Sequence, residues 1–233
     1  MSVKVGEGIV SMKEEQLLKI KLYEYLIEVK TDDFILASEV VVGNVRADVM
    51  ACSKEKIHIY EIKSKNDTLY RLSNQIKTYK KYANLITLVI DEKFLDQINN
   101  IEYLSDIGIL KFKNNTIKEI RKPKQKSIRK ENYFTYWSPI EIKKSLVGFS
   151  GWYKLDTIQA YKKLVNALKK DEVIKLTVDI IQEKYGDEFL KIKNKITNGD
   201  IDRLPNRFKT NMPNLNIVPI KDSISRFRDI DSL

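Results

Sequence analysis

Apolar positions recur every three or four residues between about 12 and 30. Leu17, Ile20, Leu22, Tyr23, Leu26 and Ile27 mark one buried face of a helix. Ser11 is placed to cap it, with Glu14 three residues on as the capping-box partner. Thr31-Asp32-Asp33 ends it, and the pattern changes to β-branched runs at Phe34–Val42, 45–51 and Ile57–Lys63. Gly43-Asn44 is a two-residue hairpin signal, and the polar Ser53-Lys54-Glu55-Lys56 is the next break. A helix is expected over 68–83, capped by Asp67, with Leu69, Leu72, Ile76 and Tyr79 as its apolar stripe. Leu85–Asp91 is nearly continuously apolar, as in a strand buried on both faces. A helix over 92–104 and strands at 107–112 and 116–120 complete the run. This order predicts an α/β (α+β) fold, a mixed sheet flanked by helices rather than a doubly wound parallel one.

Beyond residue 120 the pattern is helical. Ser138-Pro139-Ile140-Glu141 is a capped start, Gly148 a natural stop, and 155–169 and 172–185 are amphipathic. Trp137, Phe149, Trp152 and Tyr153 read as a small helical core, with base stacking as the competing reading. Pro205, Pro213 and Pro219 suggest an irregular arm from Arg203 onward. The expected division is a core at 1–120 and a basic linker with a helical region at 121–233.

Pairing arithmetic brings charged residues together. If Gly43-Asn44 is the turn, Val42 faces Val45 and Glu39 faces Asp48. With Cys52 opposite Ile57, Asp48 faces Glu61. Directly opposed residues share a sheet face with β-carbons about 4.5–5.5 Å apart. Glu39, Asp48 and Glu61 thus form a row across three antiparallel strands, with Lys63 and Arg46 on the same face. Three carboxylates in a row repel unless a cation sits among them, which points to a metal site. A plain cross-strand salt-bridge set is the competing reading, but it leaves like charges adjacent at Glu39 and Asp48. Glu14 and Glu15 could also reach such a site from the helix start, though capping and dipole compensation are the simpler explanation.

Charge sharpens the picture. There are 42 Lys and Arg against 32 Asp and Glu, a net +10, which suits a polyanionic partner. Residues 111–130 carry nine basic side chains against Glu119, a net +8, and read as a linker or an exposed basic arm. One cysteine, Cys52, excludes a disulfide framework and fits a reducing, cytoplasmic setting. No run approaches a membrane span. His58, the single histidine, falls on the face opposite Glu61, so packing explains it better than catalysis. No phosphate-cradling glycine loop is present.

Arg46-Ala47-Asp48, Glu61-Ile62-Lys63, and Gln75 with Tyr79 on the next helix together resemble the PD-(D/E)XK nuclease superfamily, the Gln-x-x-x-Tyr looking like its RecB branch. The likeness extends to small bacterial and phage nuclease-like proteins and covers about residues 12–112. Ala47 stands where the pattern often has proline. The resemblance implies a restriction-endonuclease-like core and Mg²⁺-dependent hydrolysis of DNA, with Mn²⁺ substituting. Asp48, Glu61 and the Ile62 carbonyl would hold the metal, with Glu39 added by the register. Lys63 would orient water or stabilise charge on phosphorus, and Gln75 would position water. Arg46, Arg71, Lys77, Tyr79, Lys122 and Lys124 are the expected nucleic-acid contacts. A homodimer is compatible with cutting two strands. The alternatives are a catalytically inactive nucleic-acid-binding or adaptor protein on the same fold, and an RNA-cleaving nuclease.

Overall fold

The computed structural model describes residues 14–29, 33–54, 56–201 and 203–205. Ser11, residues 30–32, Pro213 and Pro219 lie outside them, and with them the first helix's expected cap, its end and most of the carboxy-terminal arm.

Helix α1 is Glu14–Val29, and Leu18, Leu22, Tyr23 and Leu26 form its buried stripe. Three antiparallel strands follow: β1 Phe34–Val42, β2 Val45–Ser53 and β3 Ile57–Lys63. Val42 pairs with Val45 across the hairpin and Cys52 with Ile57 across the next turn, as the arithmetic expects. Gly43 takes φ +61°, and a β-carbon there would stand 2.6 Å from the Tyr82 ring, so the turn needs glycine on two counts. Helix α2, Leu72–Tyr82, crosses back over the sheet, so that β4 (Leu85–Asp91) runs parallel to β3. The short helix α3, Leu95–Asn99, leads to β5 (Gly108–Lys113), parallel to β4, and β6 (Thr116–Arg121) returns antiparallel. The six-stranded sheet has the order β1-β2-β3-β4-β5-β6. It is a mixed α/β fold with helices flanking the sheet. No helix among the described residues is long and apolar enough to cross a membrane.

Three local expectations change. Asp67 does not cap α2: its carboxylate accepts from the backbone and hydroxyl of Ser64, closing a turn, and the helix begins only at Leu72. The helix expected over 92–104 is broken into two single 3₁₀ turns flanking α3, because Asp91 and Ile101 start new turns there. The basic stretch after β6 is a strap rather than a free arm. Lys124 N–H donates to the Asp106 carbonyl, Lys126 N–H to that of Asn84, and the Asn84 side chain back to Lys126. Ile128 is buried beneath it.

The strap leads into α4, Pro139–Lys144, whose start carries the expected capping box of Ser138 and Glu141. Helices α5 (Thr157–Ala167) and α6 (Lys170–Thr197) follow. Trp137 is buried and its indole N–H donates to Thr177 at 2.8 Å, so it packs rather than stacks on bases. Phe189 of α6 meets Phe34 of β1 with ring centroids 5.6 Å apart. Helix α6 thus covers the β1 side of the sheet, and one apolar cluster runs from Leu18 to Leu204.

A candidate carboxylate–lysine cleft

The cleft forms where β2 and β3 part. Their paired register stops at Val49–Tyr60, one step before Asp48 and Glu61 would meet. In place of that step, the Asp48 carboxylate accepts from the Ile62 backbone N–H at 2.7 Å. Glu61, Ile62 and Lys63 stay in the sheet through β4, where they pair with Leu88, Val89 and Ile90. On the β1 side, Glu39 sits between the pairs Ser38–Val49 and Val40–Ala47 with φ +58°. A non-glycine residue in that region is a sparsely populated state and aims the side chain off the regular pleat.

Glu61 is the hub. It is 1% exposed, and its carboxylate takes three donors. Lys63 Nζ reaches Oε1 at 2.5 Å, Gln75 Nε2 reaches the same oxygen at 2.5 Å, and Tyr79 Oη reaches Oε2 at 2.7 Å. Lys63 also contacts Gln75 Oε1 at 3.2 Å. The spacing of four between Gln75 and Tyr79 explains the arrangement: successive turns of α2 present both donors to one strand residue. The Tyr79 oxygen is 3.0 Å from the Arg46 carbonyl as well, but its single proton is best placed on the nearer, charged acceptor. Burial first, then the Glu61 charge, pushes the Tyr79 hydroxyl above its ordinary range, so it stays a donor.

Asp48 and Glu61 press on each other. Burial, and next the Glu61 charge, raise the Asp48 carboxyl to about 8, against the pull of the Ile62 N–H, Lys19 and Lys63. A second, overlapping group of carboxylates lies alongside: ligand oxygens of Glu15, Glu39 and Asp48 fall within 4.8 Å of one another. The donors are all carboxylate oxygen, which suits a hard divalent cation such as Mg²⁺. Asp48 and Glu61, the pair that the resemblance assigns to the metal, offer the same carboxylate donors and so fit it in donor chemistry.

The sequence-derived residues fall into three sets. Asp48, Glu61, Lys63 and Gln75 converge as expected, and Ile62 joins them through its N–H. Glu39 is present but already engaged: Oε1 takes Lys19 Nζ at 2.5 Å and Oε2 takes Arg46 Nε at 2.7 Å. Arg46 is thereby tied to a carboxylate while remaining exposed, and Arg71 and Lys77 are exposed on or beside α2. One placement is corrected. Tyr79 is fully buried and cannot meet nucleic acid; its hydroxyl serves Glu61. Lys122 and Lys124 are exposed in the strap, which is bonded to Asp106 just before β5 and to Asn84 just before β4. Lys63 pairs with Ile90 near the finish of that strand, so the strap is at the far end of the sheet from the cleft.

Two residues of α1 complete the site. Glu15 is half exposed at the cleft rim, and Lys19, one helical turn further on, is 2% exposed. The signal was available: Lys19 falls in phase with Tyr23 and Leu26 on the buried stripe, where a lysine needs a partner. His58 is buried against Thr87 and Tyr60, away from Glu61, consistent with packing. Burial pushes the Cys52 thiol up to about 12, which makes it inert. A cavity of about 360 Å³ opens beside Glu39, with Thr135 and Lys184 of the carboxy-terminal region on its far wall.

Fold and cleft together define a mixed α/β protein with a carboxylate pair, a lysine and a glutamine where β2 and β3 part. The chain belongs to the family described as Bacteriophage P4 protein cII, whose match runs over residues 10–205. Protein cII of Enterobacteria phage P4 is 35% identical over 104 residues, covering 43% of this chain and 39% of that protein. The chain therefore spans about two fifths of the length of this curated relative. Among solved structures, a protein of unknown function from Silicibacter pomeroyi shares 17% identity, covering 53% of this chain and 80% of that one, with a TM-score of 0.43. An XisH family protein from Nostoc punctiforme shares 13% identity, covering 46% and 98% respectively, with a TM-score of 0.31.

Proposed function

We propose that the cleft is a metal-dependent phosphodiesterase centre that hydrolyses DNA, as the resemblance to PD-(D/E)XK nucleases implies. The observation that carries this reading is the convergence of Asp48 and Glu61, with Lys63 and Gln75 on the Glu61 carboxylate, where β2 and β3 separate. Asp48 and Glu61 are the residues that would hold Mg²⁺, with Mn²⁺ as a substitute. When bound, such an ion supplies Lewis acidity toward a phosphoryl oxygen and lowers the pKa of water. The protein's own groups do the rest. Lys63 is a buried ammonium held by Glu61 and Gln75, placed to orient a water or to stabilise charge developing on phosphorus. Gln75 can donate to Glu61 or turn its amide toward a water. Tyr79 keeps Glu61 in one orientation from below. Arg71, exposed at the start of α2, would meet phosphate.

A second reading, a non-catalytic nucleic-acid-binding protein on the same fold, has its own observation. Glu61 is fully satisfied by Lys63, Gln75 and Tyr79 and needs no ion to be stable. The two are separated by incubating plasmid and single-stranded DNA with the protein in Mg²⁺, Mn²⁺ or EDTA. Cleavage in either metal and none in EDTA supports the proposal. Salt-dependent binding of both substrates without cleavage in any condition supports the second reading. An RNA substrate run alongside distinguishes an RNA-cleaving enzyme.

A further inference from the structure

The Glu15, Glu39 and Asp48 oxygens are close enough to share a cation, yet a cation of the protein's own stands among them. Lys19 Nζ lies 2.5 Å from Glu39 Oε1 and 3.7 Å from Glu15 Oε1, and its charge also acts on Asp48. Its side chain is 2% exposed, so the charge is held in place with little water to screen it. Arg46 then neutralises the second oxygen of Glu39 from the solvent side. A buried ammonium costs several kcal/mol in desolvation unless partners repay it, and here the partners are the same carboxylates.

We infer that Lys19 is a built-in substitute for a second metal ion. Its ammonium fills the Glu15–Glu39–Asp48 group and leaves only the Asp48–Glu61 side of the cleft to take a divalent cation. Lys19 is thus a positioning residue: it acts through Glu39 and Asp48 and sets how many ions the cleft accepts. The inference rests on the reading of the cleft as a divalent-cation site. It also gives Glu39 a role other than the metal ligand that the strand register suggested. The strained backbone at Glu39 is what turns its carboxylate to meet a lysine arriving from α1.

The test is a count of Mn²⁺ bound per chain, by calorimetry and by the paramagnetic signal of free Mn²⁺, for wild type and Lys19→Met. The expected result is one more ion per chain in Lys19→Met than in wild type. Lys19→Arg, which restores a cation, returns the wild-type count. Thermal unfolding provides a second readout. In EDTA, Lys19→Met melts below wild type, and millimolar Mn²⁺ raises its Tm by more than it raises that of wild type. An unchanged ion count, or a Lys19→Met protein that fails to fold at every Mn²⁺ concentration, overturns the inference. The wild-type count separately tests the proposed function: a value of zero removes the metal site, whatever Lys19→Met then does.

Discussion

Tyr79→Phe isolates the hydroxyl that steadies Glu61. The ring is fully buried, so phenylalanine keeps the packing, and the change removes one bond of 2.7 Å to a carboxylate that is 1% exposed. Hydrogen bonds to charged groups contribute about 1.5–3 kcal/mol, and a buried acceptor stripped of its donor loses at the upper part of that range. Lys63 and Gln75 both bind the other oxygen, so neither replaces the lost donor without moving. The predicted loss at pH 7 is therefore about 2 kcal/mol, read as the shift of the urea unfolding midpoint at constant m-value. Tyr70→Phe, at a tyrosine that is 92% exposed, is the control and should stay within about 0.5 kcal/mol. The double-mutant cycle with Glu61→Gln gives the mechanism: the Tyr79 effect should shrink once the acceptor is neutral. A loss below about 0.5 kcal/mol, or an equal loss in the Glu61→Gln background, would refute the hub.

Other consequences follow from named residues. Asp48 binds its proton more tightly folded than unfolded, its carboxyl rising from 3.8 to about 8, so metal-free stability should fall as pH climbs through that window. Asp48→Asn should flatten the slope and be the more stable protein at pH 8, seen in Tm across a pH series in EDTA. Gly43→Ala places a β-carbon 2.6 Å from Tyr82 Cε2 at φ +61°. Backbone strain alone should cost about 1–2 kcal/mol, with repacking of Tyr82 adding to it in denaturant unfolding. In DNA binding, Arg71→Ala should lower the slope of log affinity against log salt by about one. The pair Lys122→Ala and Lys124→Ala, at the far end of the sheet, should leave that slope unchanged when measured by fluorescence anisotropy.

The central part of the fold was legible because its signals are local. The Gly43-Asn44 turn and the polar break before Ile57 set the β1–β2–β3 register. The continuous apolar run of Leu85–Asp91 marked a strand buried on both faces. Register arithmetic also brought Asp48, Glu61 and Lys63 to one place, but it assumed regular pleating. The structure departs from regularity at two points that no propensity encodes: the positive φ of Glu39 and the early end of the β2–β3 ladder. Those departures turn a row into a cleft with Lys19 in it. The strap of residues 122–129 was equally hidden, since a basic, proline-containing run reads the same whether free or tied by backbone bonds to Asn84 and Asp106. The carboxy-terminal helices were visible as elements, but their packing on β1 depends on long-range contacts such as Phe34 with Phe189.

The central claim is that the Asp48–Glu61–Lys63 cleft cleaves phosphodiester bonds with a divalent cation. Its most direct measurement is single-turnover cleavage of end-labelled DNA in Mn²⁺ by wild type, Asp48→Asn and Lys63→Met, each verified as folded by its unfolding transition. The account predicts cleavage by wild type and rates lower by about 10²–10³ in both variants, the size expected for losing one electrostatic contributor at a reaction centre. Equal cleavage by all three would place the activity elsewhere, and DNA binding by wild type with no cleavage would contradict the account.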